Sequence, residues 1–128
     1  MKVAITSKEP SLTSEVSSQF TNSKYWIIFD TCDKSFEIFT NRGNTPDYFE
    51  SQSEIVNRLS NKNIDIVVSG HISSKSLNAL IDADIKHYKC RDDSISNIIE
   101  TIEKRFNKNG NDRTIEIPEL QLSGQNVI

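Results

Sequence analysis

Residues 64–89 read IDIVVSGHISSKSLNALIDADIKHYK, and this stretch decides the fold. Residues 64–68 are rich in β-branched side chains, as a buried strand requires, and Gly70 ends the run. Ser73 or Ser74 then offers an N-cap for a short helix carrying Leu77, Leu80 and Ile81 on its apolar face. Residues 85–89 form the next strand. A strand, a helix and a second strand in so short a span imply parallel strands joined by a right-handed crossover.

Toward the C-terminus, Asp93 or Ser94 caps the best-patterned helix of the chain. Its apolar stripe is Ile95, Ile98, Ile99, Ile102 and Phe106, and Gly110 marks its stop. Toward the N-terminus, residues 2–6 (KVAIT) form a first strand that cannot continue past Pro10. Residues 25–29 (YWIIF) are apolar on both alternating sets, as in a strand covered on both faces. A turn over residues 30–34 leads to residues 35–40, where Phe36 and Ile38 alternate with Glu37 in the manner of a half-buried strand near a sheet edge. After a loop at residues 41–46, Asp47 is an N-cap candidate for a helix over residues 48–61. Its apolar face is Phe49, Val56 and Leu59, with Ile55 flanking.

The order along the chain is therefore strand, strand, strand, helix, strand, helix, strand, helix. The tight links among the first three strands imply antiparallel neighbours. The expected fold class is α/β, a five-stranded mixed sheet with helices on both faces. Residues 1–110 form a single domain in this reading, and residues 111–128 a C-terminal tail. In the tail Ile115 and Ile117, then Leu120 and Leu122, alternate on either side of Pro118. That pattern suits an added edge strand, an arm on a neighbouring chain, or an unstructured tail.

The chain has 128 residues, 15 basic and 18 acidic, for a net charge of −3. Such a length suits one core, and the balance does not favour nucleic acid as a partner. The longest apolar run, residues 25–29, is far too short to span a bilayer, and residues 3–5 are too short for a signal-peptide core. Neither a membrane nor a nucleic-acid partner is expected. Cys32 and Cys90 do not make a disulfide framework and read as reduced thiols in a cytoplasmic protein.

In a sheet of this kind ligands bind outside the carboxyl ends of the parallel strands. Ser7, Asn41, Gly70, His71 and Cys90 fall on that edge, and Gln19 lies in the long loop that hangs over it. Asp30 and Cys32 fall on the opposite edge, so the two cysteines are not expected to meet. His71 and Cys90 end neighbouring strands and together make a candidate soft-metal pair. Each also has a plain structural reading: a loop imidazole satisfying a backbone carbonyl, and a buried strand-end thiol. Two donors do not close a site, and neither CxxC nor HxxxH spacing occurs. The turn over residues 69–74 has the free N–H groups of any strand-to-helix junction, but GxxxxGK[ST], GxGxxG and GxSxG are all missing. Asp92 and Asp93 read as a capping pair. The first strand has Val3, Ala4 and Ile5 where a nuclease of related topology would carry acids.

Several blocks resemble the dinitrogenase iron–molybdenum cofactor biosynthesis family, over residues 2–104. Residues 2–6 are similar to its opening strand. Residues 16–30 resemble its V-S-x-H-F-G … Y-F-x-I-Y-D block, residues 64–70 with Lys75, Ser76 and Leu77 its V-D-V-V-I-A-G-G-I-G-P-R-A-L block, and residues 83–88 its A-G-I-K-V-Y. The resemblance implies a ribonuclease-H-like fold and a non-catalytic accessory or carrier protein, not an enzyme. The cargo would be an iron–sulfur or molybdenum-containing cluster or its precursor, exchanged with cluster donor and acceptor proteins. Gln19 stands where the family has the histidine of H-F-G, and Thr21 replaces its glycine. His71 and Ser73 replace two glycines of the glycine-rich turn, and residues 90–93 replace the glycine loop after the last strand. Larger residues obstruct close approach of backbone to a bulky cluster. The alternative implied by these departures is a small α/β interaction or regulatory module that has lost the site and binds no cofactor. The oligomeric state is open.

Overall fold

The computed structural model describes residues 1–20, 23–40, 52–90, 93–106 and 121–122. Its elements are β1 (Lys2–Ser7), β2 (Tyr25–Asp30), β3 (Phe36–Thr40), α1 (Gln52–Asn61), β4 (Ile66–Ser69), α2 (Ser74–Asp82), β5 (Lys86–Lys89), α3 (Ile95–Phe106) and β6 (Gln121–Leu122). The sheet order is β3-β2-β1-β4-β5-β6. β1 runs antiparallel to β2 and parallel to β4, β5 runs parallel to β4, and β3 closes the hairpin on β2. The alternation of strand and helix read from residues 64–89 therefore gives the parallel β4–β5 pairing expected of it. A sixth, two-residue strand extends the five that the sequence indicates: Leu122 pairs with Tyr88 and Gln121 with Lys89. Of the tail aliphatics, Ile115, Ile117 and Leu120 lie outside the described residues, as do Asp47, Phe49 and Gly110.

β1 is the axis of the molecule because its apolar residues serve both faces. Val3 and Ile5 pack with Ile27, Ile66, Val68 and Tyr88 against Ile95, Ile98 and Ile102 of α3. Ala4, between them, packs with Trp26, Ile28 and Val67 against Ile55, Val56 and Leu59 of α1 and Leu80 of α2. Successive strand residues point to opposite faces, so two helical layers claim alternate side chains of one strand. That is why residues 25–29 are apolar without a polar alternate.

The helix termini follow the capping chemistry of the sequence. Ser73 caps α2, its side chain accepting from the Ser76 N–H at 3.1 Å. Ser94 caps α3, accepting from the Asn97 N–H at 3.1 Å, and the Asp93 carboxylate accepts from the Ser94 N–H and the Asn97 side chain. At the far ends Asn63 and Asp84 take left-handed φ values of 60° and 64°. This lets the Ile64 and Ile85 N–H groups reach back to the Leu59 and Leu80 carbonyls, closing each helix without a glycine.

Two readings of apolar faces are corrected. Ile81 is 49% exposed: one step beyond buried Leu80 turns a side chain about 100° round the helix, out of the core stripe. Phe36 and Ile38 are 47% and 39% exposed, while Phe39 packs against the cluster under α1. The face that Phe36 and Ile38 share with Ile27 is covered by α3 only over the inner strands. Ile99 packs at the margin of the α3 cluster rather than within it.

One buried polar pair interrupts the core. His87 is 1% exposed and its Nε2 lies 2.7 Å from Ser69 Oγ across the β4–β5 pairing. Burial, with a smaller contribution from Lys89, pushes its pKa from 6.5 down to about 4. The neutral ring is thus favoured in the fold, and the unfolded chain binds more protons between those two values. Stability should be complete above pH 6.5 and fall as the pH drops toward 4, by about 3 kcal/mol in all. Urea midpoints across this range should show that slope in the wild type, and a shallower one in His87→Gln. In the same assay Ile98→Asp should cost at least about 3 kcal/mol, whereas Ile81→Lys should change stability by no more than about 0.5 kcal/mol.

Candidate functional site at the carboxyl edge of the sheet

β1, β4 and β5 end on one edge, at Ser7, Ser69 and Lys89. Residues 8–20 fold back across that edge and are fastened to it by main-chain bonds. The Ser17 N–H donates to Thr6 O at 2.9 Å, the Gly70 N–H to Ser17 O at 3.1 Å, the His71 N–H to Ser18 O at 2.7 Å and the Phe20 N–H to His71 O at 2.9 Å. Gln19 and His71 form a parallel bridge, and Ser7 an antiparallel one with Val16. The same loop reaches α3: the Ile95 N–H donates to Ser14 O and the Ser96 N–H to Leu12 O, while the Val16 N–H donates to Asp93 O. The first N–H groups of α3 are consequently satisfied by the chain itself.

These bonds gather four of the sequence-derived site residues, Ser7, Gln19, Gly70 and His71, around one strap. Their side chains differ in access. Ser7 is buried and its hydroxyl donates to Glu9 O at 2.6 Å, which shapes the start of the strap. Gln19 and His71 are exposed on the rim. A Cβ at Gly70 would lie 2.4 Å from the Ser18 carbonyl oxygen, so the glycine is required by the crossing of its own chain. Cys90 follows β5 at this edge, but its thiol is 2% exposed and belongs to the cluster under α3. Asn41 lies outside the described residues. Cys32 is exposed on the opposite edge, next to Asp30, which pairs with Lys2 at the start of β1. The two thiols are thus apart, as the strand polarity requires.

Among the described residues no group of three or more His, Cys, Asp or Glu side chains comes together to hold a metal ion. The rim instead offers one exposed imidazole, one exposed carboxamide and the serine-rich start of α2. Sequence reasoning passed over two buried groups nearby. One is His87, hidden in a strand too short to show its face from pattern alone. The other is Trp26, whose position opposite Thr6 puts it near this edge. The Trp26 ring meets Phe20 edge-on at 5.4 Å, and its indole Nε1 is buried without a hydrogen-bond partner among the described residues.

The arrangement defines a class: a small α/β domain with a mixed sheet and a strapped, polar rim at its parallel strand ends. Within that class the chain belongs to the dinitrogenase iron–molybdenum cofactor family, whose sequence model matches residues 1–105. No curated protein matches the chain by sequence. The fold is similar to that of the apo orange protein from Desulfovibrio gigas, at 14% identity and a TM-score of 0.77, covering 96% of this chain and 92% of the other. It is also similar to a NifB-like protein from Thermotoga, at 24% identity and a TM-score of 0.65, covering 80% and 87%. A dinitrogenase-like protein from Methanocaldococcus jannaschii matches at 19% identity and a TM-score of 0.66, covering 97% and 95%. No helix among the described residues is long and apolar enough to cross a membrane.

Gly70→Ala tests the strap. The added methyl group meets backbone rather than a flexible side chain, so the loop must shift. The expected cost is about 2 kcal/mol or more, read as a lowered urea midpoint. Amide exchange should also accelerate at Gly70, His71 and Phe20 ahead of the sheet centre.

Proposed function

We infer that this protein is a non-catalytic accessory or carrier protein of the iron–molybdenum cofactor type, taking a metal–sulfur cluster or its precursor as cargo. The observation that carries the reading is the family match, which spans the strapped rim and every element that builds it. The label ribonuclease-H-like is supported by the order β3-β2-β1-β4-β5, a hairpin side joined to a parallel side through β1. In this reading the exposed His71 imidazole is the soft donor of the rim. The Gln19 carboxamide donates hydrogen bonds to sulfide or oxo groups. Ser7 and Gly70 act indirectly, by fixing the strap that carries Gln19. Cys90 joins as a second metal donor when its thiol turns out of the cluster under α3. The partners are cluster donor and acceptor proteins in the cytoplasm, met without membrane or nucleic acid.

A second reading, an interaction or regulatory module without cargo, is favoured by two particulars. The Cys90 thiol is turned into the core, and the space over Gly70 is filled by Ser18.

Anaerobic reconstitution with ferrous iron and sulfide, or with tetrathiomolybdate, separates the two. The carrier reading expects visible charge-transfer absorption on the wild type. His71→Ala should weaken it at least about tenfold, since loss of even an outer-sphere partner costs that much, and Cys32→Ala should leave it unchanged. A colourless wild type gives the protein to the second reading. Loss with Cys32→Ala alone moves the site to the opposite edge.

A further inference from the structure

Among the described residues β3 is the outer strand of the sheet on its hairpin side, and it is covered on one face only. On that face Phe39 packs under α1, with the Arg58 guanidinium 4.4 Å and the Lys62 ammonium 5.7 Å from its ring centre. On the other face Phe36 and Ile38 stand 47% and 39% exposed. Natural edge strands are usually blunted by charge, proline or a bulge. Residues 36–40 read FEIFT and contain a single charge, Glu37. Its carboxylate lies 3.7 Å from Lys62 on the covered face.

The hydrogen-bonding phase of the hairpin fixes what the outer edge presents. The Asp30 N–H donates to Ser35 O, so Asp30 and Ser35 are a hydrogen-bonded pair. With the observed register, Ile28 with Glu37 and Trp26 with Phe39 are the next such pairs. The backbone groups of Phe36, Ile38 and Thr40 therefore point away from β2. Among the described residues no strand pairs with them. Arg58 reaches the Thr40 carbonyl, at 3.5 Å.

We propose that this edge is a self-docking surface on which β3 pairs antiparallel with β3 of a second copy about a two-fold axis at Ile38. One register satisfies all the outward groups: Ile38 opposite Ile38 of the partner subunit, and Phe36 opposite Thr40 of the partner subunit, in both directions. A shift of two residues either way leaves outward groups unpaired. A shift of one sets hydrogen-bonding positions against non-bonding ones. The same register joins the exposed Phe36 and Ile38 side chains of both copies into one apolar strip. On the covered face it seats Glu37 of the partner subunit beside Phe39, where Arg58 and Lys62 supply positive charge. The surface is thus complementary to itself in hydrogen bonds, apolar contact and charge, as an isologous interface requires. Few side chains take part, so the pairing is weak and concentration-dependent.

Sedimentation equilibrium from about 10 μM to about 1 mM, with amide exchange at both ends of that range, tests the proposal. The wild type should shift toward twice the chain mass. The Phe36, Ile38 and Thr40 amides should slow at least about tenfold at the high concentration, while the inward Glu37 and Phe39 amides stay unchanged. Ile38→Lys places like charges together at the two-fold axis and should weaken association at least about tenfold with an unaltered melting temperature in dilute solution. Should that variant not fold, Phe36→Lys serves the same purpose from a more exposed position. A wild type that stays monomeric to 1 mM overturns the proposal and leaves the edge to an extended segment of a different protein. A dimer without slowing at these three amides, or one indifferent to the substitutions, also overturns it.

Discussion

The crossing of the Ser18 backbone over Gly70 is the constraint on which the upper edge of this molecule is built. With no side chain at position 70, the strap over residues 8–20 lies directly on the end of β4, and each bond that fastens it depends on that closeness. The strap in turn closes the end of β1, caps the start of α3 and brings Gln19 alongside His71. A methyl group at one position would disturb all of these together. The glycine thus explains the architecture without appeal to a ligand, and it brings the exposed polar groups of the rim together.

The parts of the fold that were legible in the sequence are those in which one residue type answers one demand. Residues 64–89 declare a crossover because β-branched runs, a serine cap and a short amphipathic stretch follow each other at the right spacing. Residues 25–29 declare a doubly covered strand because no polar alternate is present. Burial at the sheet margin was less legible. Phe36 and Ile38 have the pattern of a core-facing edge strand, but how far a helix reaches across a sheet depends on its axis, which no local pattern encodes. Ile81 misleads for a related reason, since an aliphatic residue next to Leu80 is compatible with either side of a stripe boundary.

The candidate site was legible in position rather than in chemistry. Strand polarity alone assigns Ser7, Gln19, Gly70 and His71 to one edge and Cys32 to the other. It does not say which side chains face outward. Cys90 ends the right strand at the right edge, yet its thiol turns into the cluster under α3. The His87–Ser69 pair went unread because a single histidine in a four-residue strand carries no periodicity. Family membership then supplies a chemical context for the rim, on which Gln19, His71 and Ser73 stand exposed.

The strap also has a kinetic meaning. Its bonds join residues distant in sequence; Ser96 reaches Leu12 across 84 positions. Closing so long a loop is entropically costly unless the intervening chain is already organised. The β2–β3 hairpin can form from neighbouring residues, β1 joins it through the longer connection that carries the strap, and the parallel strands can add one crossover at a time. The strap can lock only when β4 and α3 are both in place. The sequence separation of these bonds predicts that the rim is completed late in folding and released early when α3 loosens. A chain that is not fully native therefore lacks this edge.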